Sequence, residues 1–365
     1  MDFLNHGSFG AAPKSVLAAQ GAWRREMERQ PVVLLDGRLP KLLRGRASRL
    51  AAFLGARGED LAFVDNATTG VNTVLRSFPW RRGEELLLAT HAYPAVKAAS
   101  LHAARRAGAR VRLARIPFPP KSETQLLQAF QAALTKRTRL AVIDHVSSPT
   151  ALVFPVRELA ALCRKAGVKV LVDGAHAPGM LDLDVPSIGA DWYVGNCHKW
   201  LFAPKGCAFL WASKEGKRGL HPLSISSRLD EGFAPEFDWC GTKDPTPWLS
   251  LDAALAFYRS LGGVALRRRN RELALSAGRR LAAAWGAERA PEALCASMVS
   301  FLLPFRGKAG PDDVKRIHAA LWRRRIEVPL FHLDGKLLIR ISAQAYNEPG
   351  DYETLEKVLP GLLKG

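Results

Sequence analysis

From about Leu61 to Trp211 short apolar runs rich in β-forming residues alternate with stretches of helical periodicity. The runs are LAFV, ELLLAT, VRLARI, LAVIDHV, VKVLVD, WYVGN and CAFLWA. That alternation predicts an α/β fold on a mostly parallel sheet with helices on both faces. One crossover is explicit. Between LAVIDHV and VKVLVD, the segment VRELAALCRKAG carries Val156, Leu159, Ala160, Leu162 and Cys163 at helical spacing and stops at Gly167, giving a βαβ unit. Beyond a turn-rich stretch from Gly232 to Pro247 the pattern is helical from about Trp248 to Trp285, with a break at Gly262-Gly263. From about Met298 it reads as strand (SMVSFLLPF), helix (Asp312 to Arg325), strand (KLLIRIS) and terminal helix, an α+β unit. No internal repeat is present. The expected division is an N-terminal segment over 1–15, a large domain over 16–247, and a bridging helix with a small C-terminal domain over 248–365.

Composition narrows the class of protein. A chain of 365 residues with 48% hydrophobic and 24% charged content can bury a substantial core and reads as an ordinary globular enzyme. The opening MDFLNHGSFGAAP has an acid at position 2 and no basic stretch ahead of an apolar one, so no secretory signal is expected. No uncharged apolar run reaches membrane-spanning length. The five cysteines (Cys163, Cys197, Cys207, Cys240, Cys295) are odd in number and form no CxxC pair. They argue against a zinc site or a disulfide framework and for a reducing, cytoplasmic compartment. The net charge of +19 raises the question of a nucleic-acid partner. The basic clusters are short, however. Arg267, Arg268, Arg269 and Arg271, like Arg323 to Arg325, fall in helical patterns where successive side chains point different ways, the pattern of solvated faces. The expected partner is a small molecule rather than nucleic acid or membrane.

In open α/β sheets ligands bind beyond the carboxyl ends of the strands. VLVD ends on Asp173 and is followed by GAHAPG, while WYVGN leads into Cys197, His198, Lys199 and Trp200; Lys199 lies 26 positions after Asp173 (199 − 173). A buried carboxylate after one strand and a lysine after a later one suit pyridoxal 5′-phosphate (PLP). That cofactor needs an anion to keep its pyridine nitrogen protonated and an amine to hold its aldehyde. Taken alone the pair is ambiguous, because a lysine past a strand is usually solvated and a strand-terminal Asp is often a helix cap.

The company these residues keep is more specific. LNHGSFG at 4–10, NATTGVNTVLR at 66–76, DHVSSPTALVFPV at 144–156, VDGAHAPG at 172–179, GNCHKWLFAPKGCAFLW at 195–211, FDWCGTKDPTPWL at 237–249 and IRIS at 339–342 follow one another over nearly the whole chain. With these blocks the sequence resembles the class V aminotransferase-like PLP enzymes of fold type I, and within them the isopenicillin N epimerase-like branch. The resemblance implies that Lys199 holds PLP as a Schiff base and that Asp173 pairs with the pyridine nitrogen, with His176 beside it. Thr68 and Thr69, which follow LAFV and open a helical run, are expected at the cofactor phosphate. Asn196, His198 and Ser148 are expected to add cofactor contacts. Thr242, in WCGTKDP, resembles the residue that reaches the phosphate of the neighbouring subunit, which implies a homodimer with shared sites. Arg340 matches the arginine that binds the substrate carboxylate, for which its planar fork is suited. Its place in an apolar strand favours that role, since burying a guanidinium without an anion is costly. Asn5 and His6 are expected to fold back toward the site, a purely structural docking of the terminus being an equal reading. In THAYPAV, His91 matches the histidine that stacks on the cofactor, while Tyr93 could equally lie over the ring or act as an acid.

In such an enzyme the freed lysine removes the α-proton and the cofactor ring stores the charge. Return of the proton on the other face gives epimerisation, loss of a β-substituent gives a lyase, and protonation at the cofactor carbon gives transamination. Persulfide transfer is disfavoured, because the stretch RIEVPLFHLDGKLLIR from Arg325 to Arg340 lacks the catalytic cysteine of desulfurases. Cys197 and Cys240 read as small buried residues. The expected activity is isopenicillin N epimerase-like. A carbon–sulfur β-lyase of the cysteine desulfhydrase or hercynylcysteine sulfoxide lyase kind is the runner-up, and an aminotransferase stands behind both.

Overall fold

The computed structural model describes residues 1–363. Every one of the seven apolar runs contains a strand: β1 (Leu61–Val64), β2 (Glu85–Ala89), β3 (Arg110–Ala114), β4 (Thr138–Asp144), β5 (Lys169–Asp173), β6 (Trp192–Asn196) and β7 (Ala208–Ala212). They form one sheet in the order β1-β7-β6-β5-β4-β2-β3. Strand β7 runs antiparallel to both its neighbours and the other pairings are parallel.

Both faces of the sheet are covered because both are apolar. Successive residues point to opposite faces. Leu87, Ala141, Ile143, Val170 and Val172 enter one buried cluster, and Leu86, Leu88, Leu140, Val142, Leu171 and Val194 enter the other. The helix Ala67–Ser77 closes the second face with Ala67, Val71, Val74 and Leu75. Continued past its apolar part, the same alternation sets Asp144 two places after Val142, Asp173 after Leu171 and Asn196 after Val194. Three polar side chains therefore gather at the carboxyl edge of the sheet, on the face which that helix covers.

The C-terminal part is an antiparallel sheet of β8 (Met298–Leu302), β9 (Leu330–Leu333), β10 (Lys336–Ser342) and the short Glu288–Arg289, with β10 between β8 and β9. The helices Val264–Trp285, Pro311–Arg323 and Asp351–Leu362 accompany it. The chain's first strand, Asp2–Phe3, pairs in parallel with Ile326–Glu327, which ties the N-terminus to this part.

Three features depart from the expectation. Two long helices, Lys14–Arg29 and Leu39–Phe53, precede the sheet and are joined through a turn of π-helix at Val33–Arg38. The helical stretch from 248 is three helices, Thr246–Leu249, Leu251–Ser260 and Val264–Trp285. The last break is the expected one, at Gly262 and Gly263, which take φ of +89° and +51°, values that side-chain-bearing residues avoid. SMVSFLLPF keeps only Met298–Leu302 as strand, ending before Pro304, which has no N–H to offer a ladder. No helix among the described residues is long and apolar enough to cross a membrane.

Candidate active site

A cavity of about 520 Å³, within the range of small-molecule sites, opens at the carboxyl edge of the large sheet. Asn66 and Thr68 after β1, Asp144 at the end of β4, Asp173 and His176 at and after β5, and Asn196, His198 and Lys199 at and after β6 all line it. Tyr93, Ser148, Ser8 and Lys205 complete the part that matters below.

The Lys199 amine lies 3.2 Å from Nε2 of His176. The indole N–H of Trp200 donates to Nδ1 of the same imidazole at 3.4 Å, so the neutral ring carries its proton on Nε2 and offers it to the amine. Burial, followed by the nearby charge of Arg340, pulls Lys199 down from 10.5 to about 7, with Asp173 acting in the opposite sense. A lysine that is neutral near pH 7 is both a nucleophile and a proton acceptor. Asp173 is buried, which raises its carboxyl above the usual range, while the Ala175 N–H, 3.0 Å from Oδ1, and Lys199 favour its charged form.

One end of the cavity is the N-terminus of the helix Ala67–Ser77. Asn66 caps it, accepting from the Thr69 N–H at 2.8 Å and from the Thr69 hydroxyl at 3.2 Å. Asn196 Oδ1 accepts from the Ala67 N–H at 2.8 Å. Thr68, between them, lines the cavity at the positive end of the helix, whereas Thr69 is engaged in the cap and does not. His198 donates from Nδ1 to the Cys207 carbonyl at 3.0 Å, and burial lowers it to about 4, so the ring is neutral. Thr242 is exposed and stands outside this cavity, although its neighbour Lys243 pairs with Asp65 on the rim at 2.7 Å.

Arg340, on β10, is 1% exposed and lies behind Ser148 and Ser8. Its Nη1 donates to the Ser148 carbonyl and, at 3.2 Å, to the Ser148 hydroxyl; its Nη2 lies 3.3 Å from both Asn5 Oδ1 and Ser8 Oγ. Nε has no partner, and the guanidinium's hydrogen bonds go to a carbonyl, two hydroxyls and an amide oxygen, with no carboxylate among the described residues. Burial alone pulls it from 12.5 to about 10, with Tyr93 opposing weakly. Asn5 is fixed in turn by Glu327, to whose Oε1 its amide donates at 2.7 Å.

His6 is buried behind the site rather than in it. Its Nε2–H donates to the Lys199 carbonyl at 3.0 Å and its Nδ1 meets the Tyr346 hydroxyl at 2.8 Å. Burial lowers it to about 3, so it braces the lysine's backbone as a neutral ring. Gly10 follows at φ +70°, where a Cβ would come within 2.3 Å of the His198 carbonyl, so the N-terminal segment packs directly on this loop. His91 is also kept from the cavity. It is fully buried, with Nε2–H donating to the Ile116 carbonyl at 2.9 Å and Nδ1 at 3.1 Å from the Thr150 hydroxyl. Tyr93, 42% exposed, lines the cavity instead. Asp144 and Lys205 were not foreseen. Asp144 carried the same signal as Asp173, a carboxylate closing an apolar run, whereas nothing local marked Lys205.

The family profile of class V aminotransferases matches residues 13–318. The probable chloroplastic L-cysteine desulfhydrase of Arabidopsis thaliana is 34% identical over 99% of this chain and 82% of its own length. The isopenicillin N epimerase of Amycolatopsis lactamdurans is 35% identical over 99% of this chain and 95% of its own. Among solved structures, the cystine C–S lyase C-DES in complex with its product cysteine persulfide superposes with a TM-score of 0.84 at 23% identity, covering 98% of this chain and 97% of that one. With the profile matched over most of the chain and relatives above 30% identity over nearly its full length, the chain belongs to the class V aminotransferase family.

Proposed function

We propose that this protein binds PLP through Lys199 and Asp173 and moves the α-proton of an amino acid in the manner of an epimerase. The observation that carries this reading is the buried amine of Lys199 in one cavity with the buried carboxylate of Asp173, the two groups PLP requires. Bound there, PLP supplies an aldehyde that condenses with amines and a ring that draws electrons from the substrate's α-carbon. Asp173 holds the proton of the ring nitrogen. Thr68 at the helix N-terminus, with Asn196 and His198, receives the phosphate. Arg340, buried without an anion and with Nε unpartnered, takes the substrate carboxylate beside Ser148. Lys199 accepts the α-proton at Nζ on the lone pair that the His176 Nε2–H otherwise engages. Tyr93, at the open side, is the second acid. The segment 1–15 and the small domain over 248–365 supply Asn5 and Arg340 to a site otherwise built on 16–247. Thr242, exposed in its own subunit, serves the site of a second copy in a homodimer. The five free cysteines, four of them buried, suit a reducing, cytoplasmic setting.

Elimination of a β-substituent is the second reading, favoured by the full-length similarity to the cysteine desulfhydrase. The two differ in products. An epimerase exchanges the α-hydrogen with deuterated water and yields the opposite enantiomer. A lyase given cysteine, cysteine conjugates or their sulfoxides releases a keto acid and ammonia. Keto acid and ammonia without enantiomer formation would replace the first reading by the second.

A further inference from the structure

Asp144 closes the run LAVID, and the function proposed above gives it no task. It is the register partner of Asp173 on the neighbouring parallel strand. Residues so paired project to the same face from strands about 4.8 Å apart. Both carboxylates are buried, 4% and 5% exposed, and both line the same cavity. Lys97 acts on Asp144 and Lys199 on Asp173 only through their charge, and neither carboxylate is paired at ion-pair distance among the described residues. Adjacent buried carboxylates without a counter-ion do not both ionise.

The surroundings decide which of the two keeps its charge. Asp173 accepts the Ala175 N–H at 3.0 Å and faces Lys199, both of which favour the anion. Asp144 is pushed well above the carboxylate range by burial and then by Asp173, against the smaller opposing effects of its own backbone N–H, Lys97 and the Tyr93 N–H. The helix Pro94–Ala107 brings Lys97, whose amine donates to the Thr90 carbonyl and is also drawn by Asp334. On the sheet side stand Tyr193 and His145, bonded to each other at 2.9 Å and both held neutral by burial. His176 and Lys199 lie past the end of β5 and β6, the first neutral by burial.

We propose that Asp144 and Asp173 share one proton, with Asp144 the positioning residue that donates it to Asp173 and so aims that carboxylate at the cofactor's ring nitrogen. The last part rests on the PLP reading; the shared proton does not. With the Ala175 N–H and the Asp144 O–H on it, the Asp173 carboxylate has one orientation left.

Two variants of the full-length protein test this, Asp144→Asn, which keeps a donor without a charge, and Asp144→Leu, which keeps neither. The folded protein holds the Asp144 proton above the ordinary carboxyl range, so the stability it contributes falls as pH rises above about 4. Asparagine has no such dependence. The Tm of Asp144→Asn minus that of the parent should therefore increase by about 2 °C or more between pH 5 and pH 8; a constant difference overturns the shared proton. In titrations with PLP followed by visible absorption, Asp144→Asn should bind within about threefold of the parent and Asp144→Leu roughly tenfold more weakly, the scale of one hydrogen bond. A leucine variant that binds like the parent, or an asparagine variant as weak as leucine, overturns the positioning role. If the parent itself acquires no visible band, the PLP reading fails, and the unfolding comparison still decides the pair.

Discussion

Replacing Arg340 with alanine removes a guanidinium that the fold keeps 1% exposed without an anion. Its displacement from 12.5 to about 10 corresponds to roughly 3 kcal/mol by which the site disfavours the charge, taking about 1.4 kcal/mol per pKa unit. A substrate carboxylate recovers much of that and adds charge-assisted hydrogen bonds, so the alanine variant should lose roughly 2–3 kcal/mol of amino-acid affinity, about 30- to 150-fold. The cofactor should still bind, because Arg340 is not among the residues that line the cavity around Thr68, Asp173 and Lys199. The assay is a spectroscopic titration with an amino acid and with the corresponding amine that lacks the carboxylate. The parent should prefer the amino acid strongly, and Arg340→Ala should bind the two alike. Arg340→Lys, which keeps the charge but loses the fork, should fall between. Unchanged preference in the alanine variant, or loss of PLP with the preference intact, would refute the reasoning.

Further expectations follow from the same geometry. Lys199→Ala should abolish the covalent cofactor and cut turnover by several orders of magnitude, and borohydride reduction of the parent should leave a pyridoxyl group on Lys199; an adduct on another lysine contradicts the assignment. Capture of added PLP by the cofactor-depleted protein should accelerate as pH rises through about 7, because the amine's folded pKa lies below its ordinary 10.5 and the neutral amine is the nucleophile. Acceleration confined to pH near 10 would show that burial and Arg340 do not depress it. Tyr93→Phe should slow product formation while sparing α-hydrogen exchange. His91→Gln, which disturbs the bond to the buried Ile116 carbonyl, should lower stability by about 1–3 kcal/mol with little effect on rate. The reverse pattern would return His91 to the chemistry.

Much of this protein is local and therefore legible in its sequence. The inner strands of the large sheet are apolar runs bounded by turn residues, because a strand buried on both faces must be largely apolar, whereas the edge strand β3, RVRLA, is mostly exposed or half-buried and keeps two arginines. Asp173, Lys199 and His198 stand just past such runs, where open α/β sheets put their ligands. The helices Lys14–Arg29 and Leu39–Phe53 are not legible in the sequence, since their burial depends on partners remote in the chain. Their patterns carry charges on several sides, as LPKLLRGRASRLAAF shows.

Sequence alone left His91 and Tyr93 equivalent, two rings two residues apart past one strand. Tertiary structure separates them, because Ile116 and Thr150 occupy both nitrogens of His91 while Tyr93 starts a helix at the cavity's edge. It also recruits Asn5 and Ser8 to Arg340 across more than three hundred residues, which no spacing rule reaches. Asp144 shows the same division. Its place at the end of β4 is written in LAVID, but its meaning comes from strand register, which sets it beside Asp173 on one face. Sequence thus determined which side chains end the strands, because period and polarity are local properties. The fold alone decided which of them share a cavity, a proton or a dielectric, because those are properties of neighbours distant along the chain.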